Sequence, residues 1–547
     1  VEAKSEEFMA TAAASIYDPS VGPSPAQSRR LLLGLALATG MEFYTFESMN
    51  LVLPDITGTL GVSFDEASWI LTIYSCFLFL GVPICIWLAG HFGYKRFLLW
   101  SSVLFAATSV GSALSPTLGI MLFWRALEGL TGAGLTVWWR ASIYVLMPKA
   151  RRSPSLMRVS VGLYLASAAG LLLSGFLTDR LNWRLICVPN LFLATGAVLL
   201  ISRNFPELPP PHSVRLQHTD RWGLLLLAIS IISLQIVLSR GHIDDWFGAP
   251  HIRILALLSG VSLLAFVRWQ LSSDNLYPLF DMSLLKERNV LAAMLLGIFT
   301  GMILSGSLFV LPEFMRMVDS QTHSATQTGR LLSFYALVAA SVRPTITGLV
   351  ARFGPRKMMA TALTLMICAM LLLYRWLTTS TPDGYFLLPL ALYACCLAAL
   401  LPSVGSGTVA KLDQARLLDG VSLYMTFRQL GASLGVAFLT IMIERRETLH
   451  SSRLYEHLDR ANNTTGGLLD STSAYLRSNA GVDSAASHTI SIGLLARTGV
   501  HQVDVLSYAD CFLFMAAAGC VAMCLIPIMS PFIPAPKQPH ALPSERS

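Results

Sequence analysis

Apolar positions along this chain fall in long unbroken runs rather than in alternation. Fourteen runs can be read, at 31–53, 68–89, 97–115, 119–147, 156–178, 185–202, 222–239, 252–271, 289–311, 329–350, 358–376, 385–409, 420–443 and 508–529. About twenty residues of helix rise ~30 Å, which is the thickness of a bilayer's hydrocarbon core. Inside that core only helices and closed barrels satisfy every backbone N–H and C=O, and runs without a two-residue period are not barrel strands. The pattern predicts an all-α membrane protein with 14 transmembrane helices. A Pro-rich break (Pro206, Pro209, Pro210, Pro211) follows the sixth run, and a second polar link precedes the ninth. The expected organisation is a cytoplasmic tail at 1–30 and a six-helix bundle at 31–202. Two extra helices with their links follow at 203–288. A second six-helix bundle occupies 289–529, with a long periplasmic loop at 444–508, and a tail closes the chain at 530–547.

Composition sharpens this picture. Hydrophobic residues make up 54% of the chain and charged residues only 13%, about half the charged share of a soluble protein. With the N-terminus inside, cytoplasmic segments hold 22 of the 39 Lys and Arg residues, including Lys95, Arg96, Lys149, Arg151 and Arg152. Short outer loops hold 7, the long 444–508 segment 6, and four (Arg125, Arg140, Arg343, Arg428) lie within spans. The positive-inside rule then predicts an inner (plasma) membrane protein with both termini cytoplasmic. Basic inner loops account for the net charge of +7, so no nucleic-acid partner is expected. The first thirty residues lack the apolar stretch of a signal peptide, so insertion is expected to be signalled by the first span. Nine cysteines sit in or beside apolar runs without metal-ligand spacing and read as small hydrophobes. No metal or other cofactor is expected. His91, His212, His218 and His242 are scattered, and no Ser–His or metal spacing appears, so an enzyme is not expected.

A weak internal repeat points to two related halves. Leu88-Ala89-Gly90-His91-Phe92-Gly93-Tyr94-Lys95-Arg96 follows the second span, and Leu349-Val350-Ala351-Arg352-Phe353-Gly354-Pro355-Arg356-Lys357 follows the tenth. Each gives a Phe-Gly turn and then two cations, so Gly93, Arg96, Gly354 and Arg356 are read as conformational loop motifs. Duplicated halves around a midplane site are an architecture of alternating-access transporters.

At these residues the chain resembles the major facilitator superfamily, and its two extra central spans make it similar to the fourteen-span drug:proton antiporters of the EmrB/QacA type. Trp124-Arg125-Ala126-Leu127-Glu128-Gly129 is similar to that family's fourth-span signature. Ser233-Leu234-Gln235 with Arg240-Gly241 and Asp245-Trp246-Phe247 resembles its seventh-span stretch. Leu284-Leu285-Lys286-Glu287-Arg288-Asn289 resembles the link before the ninth span, and Phe427-Arg428-Gln429-Leu430-Gly431 the thirteenth-span signature. The resemblance implies proton-coupled efflux of small amphipathic compounds by alternating access. It also implies a periplasmic adaptor and an outer-membrane channel as partners. The chain departs from the family in four places. Thr45 stands where an acid is usual, Gly90 where Asp is usual and His91 where a cation is usual. In the fifth span Gly170 is followed by Leu171 rather than Pro. A narrower, anionic substrate with altered coupling and a transport-inactive sensor therefore stay open as alternatives.

Ionisable groups inside the membrane are costly and default to function or to pairing. Glu42 lies near the middle of the first span, one turn before Thr45, and is a candidate to carry the proton that the missing acid would carry. Its alternative role is static pairing with a buried arginine. Glu47 projects about 140° away from Glu42 and is expected to reach water at the outer end. Arg125 and Glu128, three apart on one helix face, are either coupled to proton movement or a structural ion pair. Arg140, beside Trp138 and Trp139, either meets an anionic substrate or reaches to the inner headgroups. Arg343, before Pro344, favours an acidic ligand, and Arg428 is expected to tie the thirteenth span to a loop. Candidate cavity residues are Tyr44, Thr45, Trp138, Arg140 and Arg343, although single aromatics also serve packing. The glycines at 129, 132, 134, 431 and 435 are expected to let helices approach closely.

Overall fold

Fifteen long helices follow one another among the residues that the computed structural model of the protein describes: 24–206, 220–241, 244–272, 274–275, 278–279, 282–318, 323–409, 412, 417–457, 463–480 and 483–529. The expected terminal tails and the Pro-rich link lie mostly or wholly outside the described residues, as does the side chain of His91. The helices are α1 (Pro25–Leu60), α2 (Phe64–Phe92), α3 (Tyr94–Ala113), α4 (Leu118–Leu146), α5 (Lys149–Arg180), α6 (Val188–Asn204), α7 (Arg221–Arg240) and α8 (Pro250–Gln270). They continue with α9 (Arg288–Glu313), α10 (Ala325–Phe353), α11 (Pro355–Trp376), α12 (Gly384–Val409), α13 (Leu417–His457), α14 (Asn463–Ala480) and α15 (Ser484–Leu525).

Each expected span falls on one helix, the last of them on the C-terminal part of α15, and α14 is additional. Among the described residues ten helical stretches are long and apolar enough to cross a membrane, and α2 contributes a shorter apolar stretch over Glu66–Val82. Helices α1 and α4 fall below that mark because they carry Glu42, Glu47, Arg125, Glu128 and Arg140. Helix α3 does so because of a buried seam of Ser101, Ser102, Thr108, Ser109 and Ser112. Large apolar side chains such as Trp100, Phe192 and Leu264 point outward and stay exposed. A soluble protein would bury them, whereas a lipid-facing surface favours them.

The long segment after span thirteen departs from the expected loop. Helix α13 runs on to His457, α14 follows, and α15 already begins at Ser484. This stretch has no proline, and Glu444, Arg445, Arg446, Glu447 and Leu449 are good helix formers. Asp483 caps α15 by accepting the Ala486 N–H at 2.7 Å.

Two sets of helices are evident from the packing. In one, α1 lies on α5 and α6, and α4 lies on α2 and α3; in the other, α9 lies on α13, and α11 lies on α12 and α15. The sets meet through α5 with α10 and through α2 with α13. Helices α7 and α8 form a hairpin joined by reciprocal Ser230–Ser259 hydrogen bonds of 3.1 and 3.0 Å. Asp220 locks its base, accepting from Gly223, Trp269, Gln270 and Asn275. The hairpin rests on α2 and α13.

The internal repeat extends well beyond the loop motifs. Helix α2 has 29 residues, starts at a Ser63–Glu66 capping box and ends at Gly93, whose φ is 83°. Helix α10 also has 29 residues, starts at a Ser324–Gln327 capping box and ends at Gly354, whose φ is 83°. The reciprocal cap satisfies two orphan donors at each start. The positive φ at each end is a conformation only glycine adopts without strain. Adding a Cβ at either glycine meets no other atom within 4 Å, so any cost is purely conformational. Gly93→Ala and Gly354→Ala are therefore each expected to lose roughly 1–3 kcal/mol. Gly58→Ala, inside α1 with equally open space, should be neutral or slightly stabilising. Thermal unfolding of the three variants checks this, and equal midpoints would contradict the conformational account.

Candidate functional site

Two adjoining cavities lie between the two sets of helices. The larger, about 360 Å³, is walled by Trp139, Arg140 and Tyr144 of α4, Arg152 and Tyr164 of α5, Arg343 and Thr347 of α10, and residues of α12 and α13. It sits at the end of the bundle that carries the Gly93 and Gly354 turns. The smaller, about 90 Å³, lies deeper and is lined by Glu42, Phe43, Phe46, Glu47, Arg140, Tyr164, Tyr335, Tyr393, Arg428 and Gln429 among others. Phe43, Arg140, Tyr164 and Leu401 are common walls of both.

The opposite end is closed. A contiguous apolar cluster draws Leu51, Val52, Leu53 and Ile56 of α1 together with Val310, Leu311 and Phe314, with Leu332 of α10 and with Phe512 of α15. Polar contacts seal it further. Arg316 donates to both Asp55 carboxylate oxygens and, at 2.8 Å, to the Leu51 carbonyl. Asp179 of α5 accepts the Ala325 and Thr326 N–H groups at 3.2 and 2.7 Å. This carboxylate meets the positive end of α10 across the boundary between the sets.

The deep chamber takes its shape from one face of α1. Glu42, Phe43, Phe46 and Glu47 span an arc of about 140° at 100° per residue. Tyr44 and Thr45 fall outside that arc. The Tyr44 hydroxyl donates to the Ile186 carbonyl at 3.0 Å, and Thr45 accepts from Asn190 at 2.7 Å. Both therefore knit α1 to its neighbours and neither lines either of these two cavities, where the sequence placed them. Gly170 of α5 allows this close fit, since a Cβ there would lie 2.7 Å from the Tyr44 carbonyl oxygen.

Three further expectations are corrected. Trp138 packs on Tyr94 and Phe97 of α3, with centroids 4.7 and 6.1 Å away. Trp139, one residue on, faces the larger cavity, and the Arg140 guanidinium lies 4.3 Å above its ring. Glu47 does not reach water: it is 4% exposed and accepts a hydrogen bond from the Tyr335 hydroxyl of α10. Sequence reasoning separated the two glutamates by angle, but the chamber is wide enough to take both. Arg428 lines the chamber rather than tying α13 to a loop. Arg428 and Arg140 thus share one chamber with Glu42. Arg428 is fixed by an unusually close α9–α13 contact, in which a Cβ on Gly301 would lie 1.9 Å from the Arg428 carbonyl oxygen and one on Gly431 2.1 Å from that of Ile298. The glycine pattern of α13 was legible in the sequence, but the side on which Arg428 emerges was not.

Arg125 and Glu128 form a fully buried ion pair at 2.8 Å, both with 0% exposure. The Arg125 guanidinium also lies 4.3 Å over the Tyr74 ring and donates to the Ile70 carbonyl at 3.3 Å. Ser112 donates to Glu128 at 3.3 Å. The pair thus joins α2, α3 and α4 behind the chamber wall and lines neither cavity, so it does not meet Glu42 directly. Removing one member of such a pair strands the other charge in a dry interior. Arg125→Ala is expected to cost about 3–5 kcal/mol and to cut the yield of monodisperse protein sharply. The double change Arg125→Met with Glu128→Leu should recover most of that yield. An Arg125→Ala protein as stable as the parent in thermal unfolding would contradict the anchoring role.

Residues 35–436 match the Major Facilitator Superfamily. The chain is 27% identical over 441 residues to the multidrug export protein EmrB of Escherichia coli K12, covering 80% of this chain and 84% of that protein. It is 25% identical to the fatty acid resistance protein FarB of Neisseria gonorrhoeae, covering 94% of this chain and 97% of that one. Among solved structures, a peptide transporter POT in complex with sulfate superposes with a TM-score of 0.60 at 13% identity, covering 95% of this chain and 99% of that one, which speaks to the fold alone. With two matched helix sets, a cavity between them and a family match over most of its length, the chain belongs to the major facilitator superfamily and is a multi-pass membrane transporter, not an enzyme.

Proposed function

We propose that the protein is a proton-coupled exporter of small amphipathic compounds, working by alternating access in the inner membrane. The observation that carries this reading is the deep chamber itself, where Glu42 and Glu47 stand among Arg140 and Arg428 beneath a larger aromatic-walled cavity. A proton carrier has to be dry in one state and wet in the other. This reading is supported by the hydrogen bond that Tyr335 of the other helix set gives Glu47, a contact that opening of the sealed end would break, and by the presence of Glu42 in the same chamber. Export, rather than uptake, is supported by the names of the relatives, a multidrug export protein and a fatty acid resistance protein. The resemblance of its motifs to the EmrB/QacA type implies a periplasmic adaptor and an outer-membrane channel, which belong to this proposal as partners.

Glu42→Gln is near-isosteric and removes a buried charge, so the fold should survive. Gradient-driven transport in reconstituted vesicles should lose its dependence on the proton gradient while equilibrium substrate binding persists. Transport at the parental rate with unchanged pH dependence would rule Glu42 out and leave Glu47 as the carboxylate to replace next.

The orientation we propose puts the Gly93 and Gly354 turns, with their Lys95, Arg96, Arg356 and Lys357 cations, in the cytoplasm. It makes the larger cavity inward-facing and the α13–α15 extension periplasmic. Reporter fusions near residues 150 and 215 should then read cytoplasmic, and one near 470 periplasmic. A cytoplasmic signal at 470 would refute this topology.

A further inference from the structure

The larger cavity is unusual in its charge. Arg140, Arg152 and Arg343 all line it, and no Asp or Glu does so among the described residues. The guanidiniums are met by carbonyls, a hydroxyl and aromatic rings, with Arg140 4.3 Å over Trp139 and Arg152 5.7 Å over Tyr144. Arg140 donates to the Thr136 carbonyl at 3.3 Å, and Arg152 to the Met147 carbonyl at 3.1 Å. Arg343 reaches the Thr347 hydroxyl and the Ala398 carbonyl at 3.4 Å each, and its buried Nε has no partner. Three cations in a largely apolar, aromatic pocket, with Glu42 and Glu47 walling only the deeper chamber that Arg140 also faces, are costly for the empty protein. The ion-pair logic that holds elsewhere in the fold, as in Arg125–Glu128 and Arg316–Asp55, is missing here. Arg343 belongs to α10 and Arg140 to α4, so the two cations face the cavity from opposite helix sets.

We infer that the substrate is an amphipathic organic anion whose acidic head is held between Arg140 and Arg343, with Arg152 at the mouth and the apolar body against Trp139, Tyr144 and Tyr164. Guanidinium groups suit this task because their planar donor forks match carboxylate geometry. The volume of about 360 Å³ is in the range of small-molecule sites. A cationic amphiphile would place its charge against three like charges, so the cavity selects against it. This inference rests on the reading of the cavity as the substrate site, and it is independent of which carboxylate carries the proton.

The test uses three probes of one shape and different charge: naphthoate, naphthylmethanol and naphthylmethylammonium. Equilibrium binding to the full-length protein in lipid nanodiscs, without any gradient, is measured for each. Naphthoate should bind at least about tenfold more tightly than the alcohol, a difference of about 1.4 kcal/mol, and the ammonium should bind most weakly. Arg140→Gln and Arg343→Gln should each weaken naphthoate about tenfold and leave the alcohol unchanged, whereas Arg140→Lys and Arg343→Lys, which keep the charge but lose the planar fork, should weaken naphthoate less than the Gln changes do. Failure of naphthoate to bind, equal or tighter binding of the ammonium, or unaltered naphthoate affinity in folded Gln variants would each overturn the inference. If a Gln variant does not fold, the order of the three probes on the parent protein decides. Because no gradient is present, failure here leaves the coupling proposal for Glu42 standing. Loss of coupling in Glu42→Gln, conversely, leaves this inference untouched.

Discussion

Charge buried in a low-dielectric interior is the constraint on which the rest of this structure depends. Each ionisable group within the spans has to be paired, hydrogen-bonded or reached by water. The protein uses all three solutions, in different places. Arg125 and Glu128 are paired and dry, and they bind three helices into one block. Glu47 is hydrogen-bonded across the boundary between the helix sets by Tyr335. Among the described residues no Asp or Glu lines the larger cavity beside its three arginines. The difference separates framework from site: charges satisfied within one block hold it rigid, and charges left to the boundary are free to change partners as the blocks move.

Close helix packing is what allows this division. Gly301 and Gly431 bring α9 and α13 to within backbone contact, and Gly170 does the same for α5 and α1. A bilayer offers no hydrophobic drive between helices, so such small-residue contacts carry the association. The same close approach recurs across the boundary between the blocks, where a Cβ on Gly329 of α10 would lie 2.2 Å from the Leu171 carbonyl oxygen of α5 and one on Gly175 2.4 Å from that of Ala325. The matched lengths of α2 and α10, with the same caps at both ends, give the two blocks equivalent levers.

Much of the fold was legible in the sequence, because long apolar runs and glycine turns have few alternative readings. All fourteen runs coincide with helices. The tight turns at Gly93 and Gly354 have the shared geometry that their shared motif suggested. The site was less legible. Glu42, Arg140 and Arg343 emerged because a charge in an apolar run is conspicuous whatever its direction. Direction itself was the weak point. Tyr44, Thr45 and Trp138 were placed on the cavity by proximity in sequence, yet a rotation of about 60–100° on the helix turns each toward a neighbouring helix. Arg428 and Glu47 failed for the same reason in reverse, since their partners come from the other helix set hundreds of residues away. The continuation of α13 and α15 beyond the apolar runs was missed because hydropathy marks where a span ends, not where a helix does.

The placement of Arg140 and Arg343 on opposite blocks has an energetic consequence. A ligand shifts a conformational equilibrium only by the difference in its affinity for the two states. An anion that touches one block alone would bind both states alike and move nothing. One that bridges the two guanidiniums favours whichever state brings them together. The same closure separates the blocks at the far end, where Arg316–Asp55, Asp179 on the α10 N-terminus and Tyr335–Glu47 hold them shut. Those contacts set the threshold that bound substrate has to overcome. The membrane potential adds to the driving force: a negative charge leaving an inside-negative cell gains about 2.3 kcal/mol per 100 mV. For an anionic substrate, part of the work of export is therefore supplied before any proton moves. On that account the degraded first-span motif, with Thr45 turned away from the chamber, fits a carrier in which the substrate's own charge shares the coupling with the chamber carboxylates.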